Sequence, residues 1–462
     1  MKNISKKAFI IIFLIIVSVN FLYAISYKIK PAVDAEAYDE IATNIVEHEQ
    51  YRSSFNVPLE LDGSISRIGP GYELFLATNY LFFGRHFWII WLFQAILYAL
   101  TIVMLGLVSL KLFPVLNQNT KILYGSMIVF GLLIDIIQLN AMIMTESLFL
   151  FLLTLSFFIW SQIYNHDPKI KYGLWIILGF VLGLLTLTRP TGLLVFVLLS
   201  GATIYRKKLG SILAICLIAI PFILIQVPWF VRNYHVYNQF IFHSSADGLN
   251  FLSGNYPGNH GEFTSDFPFY KELKEKYPSP VELNSEAKKW YKDFVLHHPI
   301  QATKILIEKA LIFFSLTKTS GFWFHYFGKT DQILTILISI FQNFIILGSI
   351  ILYGTMVVKR WINKQFLLPD IFLASTFVVL TVTPIISVIA NRHRLPLVIM
   401  SLPLFVYVAY IIKNNFRKMK WEIAITILIL IASTSFDLFL QFDKFKSKIH
   451  SVNKNPAETV TK

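Results

Sequence analysis

Residues 8–27, AFIIIFLIIVSVNFLYAISY, decide the fold. They carry no charge and run for about 20 residues, the length an α-helix needs to cross a hydrocarbon core ~30 Å thick. The basic leader MKNISKK in front of them is also how a secretory signal opens. A signal's apolar region is shorter, about 7–15 residues, so this run reads as an uncleaved first spanning helix. Residues 28–50, KIKPAVDAEAYDEIATNIVEHEQ, follow at once and are rich in charge. They must leave the bilayer, and which side they reach fixes what they face.

Composition agrees with a membrane reading. The 462 residues are 55% hydrophobic and 15% charged, with mean hydropathy +0.60. A soluble domain carries about 25% charged residues. A net charge of +14 would suggest nucleic acid in a soluble protein. In a polytopic one it reflects the cytoplasmic Lys/Arg excess that sets topology, so no nucleic-acid partner is expected. Cys216 is the single cysteine, which leaves no intrachain disulfide or cysteine metal site. It is expected as a small core residue.

Further apolar runs lie at 87–110, 122–138, 142–163, 172–188, 191–205, 210–231, 331–357, 366–387, 395–412 and 421–439. With 8–27 they predict about eleven spans in an all-α polytopic protein. Placing the N-terminus in the cytoplasm puts Lys111 and Lys121, Arg206 to Lys208, Lys359 and Arg360, and Lys413 to Lys420 on the inner side. Nearly all Asp and Glu fall on the other side, as the positive-inside rule requires. Two long outer segments result, 28–86 and 232–330, within one transmembrane domain over 1–440, before a basic tail at 441–462. In the first segment Tyr38, Ile41, Ala42 and Ile45 form one stripe at helical spacing, opposite Glu36, Glu40, Thr43 and Glu47. GYELFLATNYLFF, residues 71–83, reads as a short interfacial helix. SPVELNSEAKKWYKDFVLHHP, from residue 279, and IQATKILIEKALIFFSL, from residue 300, predict two helices in the second segment.

Ionisable groups in or beside membrane helices are costly, and they mark function by default. Asp34 follows the first span, Glu146 opens MTESLFLF, Arg189 sits in LTRPTG, and Arg232 ends VPWFVRNY. Arg392 and Arg394 lie in ANRHRLP, and Arg67 in RIGPGY. The topology brings all seven to the outer surface. Each also has a structural alternative. Asp34 can cap the helix after it, and Glu146 can complement a helix dipole. Arg189 before Pro190 suits a tight helical turn, and Arg392 and Arg394 can anchor at headgroups. Asp135 fits either a site or helix packing, Asp370 reads as a helix-start residue, and His243, His260, His297 and His298 as loop residues without metal-ligand spacing. Five arginines and two carboxylates aimed at one face suit a particular task. Arginine holds phosphate and stabilises charge growing on a departing one, while a carboxylate takes a proton from a hydroxyl. A lipid-phosphate sugar supplies the activated carbon and a membrane-bound leaving group.

DAEAYDEIATNI, RIGPGYELFLA, MTESLF, LTRPTGLL, PWFVRNY and RHRLPL, in this order along nearly the whole chain, resemble the bacterial GT-C membrane glycosyltransferases. That group contains the protein O-mannosyltransferases and the lipid A aminoarabinose transferase (glycosyltransferase 39-like). The resemblance implies a GT-C-type helix bundle and assigns catalytic base to Asp34. The family's next residue is often Glu; here it is Ala35, and the second acid is Glu36. The resemblance also places Arg67 and Arg232 on the donor phosphate and matches Glu146 to an early-helix acid, grouped here with the catalytic residues. Tyr38, one turn after Asp34, and Tyr72 of the Pro-Gly-Tyr motif are assigned to substrate binding, with Arg189, Arg392 and Arg394 as helpers on the phosphate.

The expected activity is inverting transfer of a sugar from a polyprenyl-phosphate-linked donor to a hydroxyl on lipid, glycan or protein. It takes place at the extracytoplasmic face of a cell (plasma or inner) membrane. No organic cofactor is called for, and a divalent cation (Mg²⁺ or Mn²⁺) on the donor phosphate, held by Glu146 and water, stays open. Two other classes compete. A transporter or flippase of lipid-linked glycan predicts midplane charges and internal repeats; a glycan polymerase or ligase shares the long outer loop.

Overall fold

The computed structural model describes residues 5–66, 69–163, 172–207, 210–317, 329–365, 368–440 and 442. Within them the chain is helical and has no strand. The first half contains α1 (Lys6–Tyr27), α2 (Asp34–His48), α3 (Gly71–Phe83), α4 (Phe87–Leu112), α5 (Thr120–Gly131), α6 (Ile134–Asn140), α7 (Glu146–Ile163), α8 (Tyr172–Thr188), α9 (Thr191–Lys207) and α10 (Gly210–Tyr237). The second contains α11 (Asp247–Asn255), α12 (Pro268–Lys276), α13 (Pro280–His297), α14 (Pro299–Phe313), α15 (Lys329–Ile362), α16 (Leu368–Ile386), α17 (Leu395–Met400), α18 (Leu402–Asn415) and α19 (Lys420–Leu440).

α1 behaves as part of a bundle. Phe9, Ile12, Ile16, Asn20 and Ala24 make a buried stripe at helical spacing, facing α4, α5 and α6. Ile10, Leu14 and Leu22 point outward, where lipid would meet them. Asn20 is the polar member of the stripe. Its amide donates to Ile16 O at 2.8 Å, and its Oδ1 accepts from Asn140 Nδ2 at 2.7 Å, so α1 is tied to α6 by a satisfied buried pair. Behind α1, α4 packs on α7, and α8 packs on α7, α9 and α10.

Among the described residues six helices are long and apolar enough to cross a membrane, or seven if the α5–α6 pair, bent by 50°, counts as one. This makes the chain a multi-pass membrane protein; the expected count of about eleven spans is not confirmed. α8 and α9 have 17 residues each; at 1.5 Å per residue each rises about 26 Å. The run at 395–412 is split into α17 and α18, and Leu402–Leu440 counts as one candidate across the 3-10 turn Phe416–Met419. Cys216 also departs from expectation. It is exposed, on the face of α10 that carries Ile212, Ile220 and Ile223, so it is a surface residue of the bundle.

The two segments expected on the outer side carry helices of their own. α2 buries Tyr38, Ile41 and Ala42, exposes Glu36, Glu40 and Glu47, and lies on α3. α11, α12 and α13 share a small core of Leu249, Leu252, Phe267, Leu283 and Ala287, covered by Tyr256 and Trp290. The tail beyond residue 442, like Arg67, lies outside the described residues.

Candidate active site

Four of the charged side chains picked out in the sequence meet at one place. Glu146, first residue of α7, is buried, and Arg189 Nη2 stands 2.5 Å from its Oε1. Arg392 Nε lies 3.8 Å from the same oxygen. Arg392 Nη2 then reaches Asp34 Oδ2 at 2.5 Å, joining residues 358 positions apart. Arg189 also donates to Thr145 Oγ1, from Nε at 3.1 Å and Nη2 at 2.7 Å, and its guanidinium stands 5.2 Å from the Phe149 ring centroid. The order is therefore Asp34, Arg392, Glu146, Arg189. Exposure falls from Asp34 to Glu146. The Asp34 side chain is 28% exposed, against 10% for Arg392 and 2% for Glu146. Two buried guanidiniums share one buried carboxylate, and the acid at the accessible end completes the balance.

Each member is fixed by local structure. Asp34 is the first residue of α2, and the cap position belongs to Val33, whose φ of 56° is rare for a β-branched residue. Glu146 is held through the α6–α7 turn. Gln94 Nε2 donates to Asn140 O at 2.9 Å and Met142 O at 2.7 Å, and Ser147 Oγ donates to Asn140 Oδ1 at 2.5 Å. Arg189 follows α8, and the start of α3 presses against that helix end. A Cβ on Gly71 would stand 2.7 Å from the Thr188 backbone nitrogen, so only glycine allows this approach. His243 Nε2 bonds to Thr186 O on the same helix end. Burial lowers the His243 pKa to about 4, and the ring stays neutral. Arg392 sits on the 3-10 turn Asn391–Arg394 after α16.

Tyr38 lies one turn along α2 from Asp34 and is 1% exposed. Burial first, then the negative charge of Asp34, pushes its hydroxyl well above the usual tyrosine range, so it remains protonated. Tyr72 meets it edge-on at 5.5 Å and donates its hydroxyl to Gln94 Oε1 at 2.7 Å. Tyr72 thus braces the wall of the site from inside.

The remaining predicted residues lie elsewhere. Arg232 is half-buried, with ring centroids of Tyr51, Trp229 and Tyr237 at 5.3, 5.2 and 5.5 Å, and its Nη2 donates to Tyr51 O at 2.9 Å. Arg394 donates from Nη1 to Phe313 O at 3.2 Å and Ser315 O at 2.6 Å, closing the end of α14. Asp135 accepts from Ser339 Oγ, a helix-packing contact. Asp39, five residues after Asp34 on α2, is bound to Arg85 and to the Tyr80 hydroxyl, tying α2 to the end of α3. Asp370 opens α16 as expected and pairs with Arg360.

The sequence reading passed over Glu73, Tyr51, Thr145 and His393. Glu73, in the first turn of α3, is fully buried and accepts from the Tyr51 hydroxyl at 3.2 Å. Through Tyr51 it links the Arg232 pocket to Tyr38, whose hydroxyl also feels the Glu73 charge. The quoted motif GPGYE contains Glu73, and an acid in an otherwise apolar helix start was the available signal.

No family model and no curated protein matches the chain. Among solved structures, it is similar to the archaeal oligosaccharyltransferase AglB from Archaeoglobus fulgidus, solved in complex with an inhibitory peptide and a dolichol-phosphate. The TM-score is 0.47 at 11% identity, over 93% of this chain and 55% of that chain. This chain therefore spans about half the length of the protein that it matches.

Proposed function

We propose that this protein transfers a sugar from a polyprenyl-phosphate-linked donor to a hydroxyl acceptor at the extracytoplasmic face of a cell membrane, with inversion at the anomeric carbon. The observation that carries the reading is the Asp34–Arg392–Glu146 relay: an accessible carboxylate paired with an arginine that a buried carboxylate holds from behind. The family resemblance of the sequence motifs points the same way.

In this reading the donor phosphate draws Arg392 from Asp34. Glu146 keeps the guanidinium in place during the exchange, and Arg189 holds Glu146 from its other side. Asp34, released, takes the proton of the acceptor hydroxyl. The acceptor oxygen attacks the anomeric carbon opposite the phosphate, the carbon–oxygen bond to phosphate breaks, and its electron pair leaves with the phosphate. Positive charge on Arg392 and Arg189 stabilises that leaving group. Protonation of Asp34 removes one negative charge from the cluster just as the phosphate gains one. Tyr38 forms the wall beside Asp34. Arg232 lies apart from this relay and fits a contact to a more distant part of the donor.

Glu146 does not suit a divalent cation. Its carboxylate faces Arg189 at 2.5 Å and Arg392 at 3.8 Å, and two guanidinium charges repel an ion at that position.

The test is transfer of radiolabel from a polyprenyl-phosphate sugar by the purified protein in nanodiscs. The expected result is labelled acceptor, one polyprenyl phosphate released per transfer, and inverted anomeric configuration. Translocation of intact donor without release would defeat the reading and favour a flippase.

A further inference from the structure

The segment that delivers Arg392 is held by a side chain that no motif singled out. Lys309 of α14 is fully buried. Its Nζ donates to Ser387 O at 2.8 Å, Asn255 Oδ1 at 3.0 Å, Gly254 O at 3.2 Å and Ile386 O at 3.3 Å. Two of these acceptors stand at the end of α16, where a helix leaves carbonyls without intrahelical partners and favours a cation. Asn255 adds a second donor, its Nδ2 reaching Ile386 O at 3.0 Å and Ser387 O at 3.4 Å. The backbones are too close for any other residue at Gly254, where a Cβ would stand 2.0 Å from Ser387 O. Ile389 N donates to Gly261 O at 2.7 Å, and His393 Nδ1 lies 3.0 Å from Val388 O. Residues 386–389 are thus pinned by α11, α14 and the loop after α11, and Arg392 follows three residues later.

The geometry points to Lys309 as a positioning residue for Arg392: by closing the end of α16 it sets where the 3-10 turn starts and so where the guanidinium can reach. The second outer segment then serves the phosphate site without touching it. This inference rests on the proposed role of Arg392.

The test is a double-mutant cycle on the full-length protein in nanodiscs, with decaprenyl phosphate as the binding probe and the melting temperature as an independent readout. Lys309→Met should weaken decaprenyl phosphate binding roughly 2- to 30-fold, the range for mutations that act through a packed network. In an Arg392→Gln background the same change should cost little more. Equal losses in both backgrounds, or lowered melting with unchanged affinity, would overturn the inference. If the wild type fails to bind decaprenyl phosphate, the functional reading falls by itself. Coupling of the two changes in melting temperature then still supports the positioning contact, and additive changes refute it. Should Lys309→Met not fold, Asn255→Ala removes the second donor to the same carbonyls and enters the same cycle.

Discussion

Glu146→Gln should cost far more stability than Asp34→Asn, although both remove one carboxylate charge from the same cluster. The Glu146 side chain is 2% exposed and faces Arg189 at 2.5 Å and Arg392 at 3.8 Å, so its neutralisation strips the charge partner from two guanidiniums that water barely reaches. Removing one partner of a buried ion pair costs about 3–5 kcal/mol. Asp34 is 28% exposed, and Arg392 keeps Glu146 when Asp34 is neutralised. A pair that water can screen is worth about 0–1 kcal/mol. The gap should therefore be on the order of 3 kcal/mol. Thermal unfolding of both variants in the same detergent, followed by tryptophan fluorescence, would order them. The double variant Glu146→Gln/Arg189→Gln should recover part of the loss, since it removes a buried cation along with its partner. Equal melting of the two single variants, or strictly additive losses in the double, would refute the view of Glu146 as the buried brace and Asp34 as the accessible acid.

Two more predictions follow from the supports around the site. Burial lowers His243 and His393 from 6.5 to about 4, so the unfolded chain takes up protons in that window that the folded protein refuses, and stability present above pH 6.5 should decline as pH falls toward 4. Melting temperatures from pH 8 to pH 4 check this, and a His243→Asn variant should show a shallower decline; a flat profile between pH 6.5 and 5 would contradict it. Gly71→Ala should displace the end of α8, because the new Cβ would lie 2.7 Å from Thr188 N, whereas Gly125→Ala meets nothing within 4 Å. Overpacking of this kind costs about 1–3 kcal/mol, so melting and transfer should both fall for the first variant and neither for the second.

How far the sequence could be read depended on the physics behind each feature. α2 was legible because a 3.6-residue period writes its buried face, Tyr38, Ile41 and Ala42, directly into the residue order. The convergence of Asp34, Glu146, Arg189 and Arg392 was legible because topology assigns helix ends to a face before any contact is known. Hydropathy carries no record of a bend, so α5 and α6 read as one run, and the 17-residue α8 and α9 read the same as the longer apolar runs. Arg394 was grouped with Arg392 because the two are close in sequence. On a 3-10 turn with three residues per turn, positions i and i+2 point about 120° apart, and the two guanidiniums reach Asp34 and the end of α14 respectively. Asp39 lies on the same helix as Asp34, yet it is claimed by Arg85, 46 residues away, a pairing no local pattern could reveal. Lys309 stayed hidden for the same reason, since its partners come from α11 and from the end of α16.

The most direct test of the central claim is the rate of sugar transfer by Asp34→Asn against wild type, with polyprenyl-phosphate binding measured on the same preparations. Asparagine keeps the shape and a hydrogen-bond acceptor for Arg392 but cannot take the acceptor's proton. If Asp34 is the base, turnover should fall about 10²–10⁴-fold, while the protein still inserts, folds and binds the lipid phosphate at least as tightly, because Arg392 is easier to draw away. A transfer rate within a fewfold of wild type would contradict the account and leave Asp34 only as the counter-ion of Arg392.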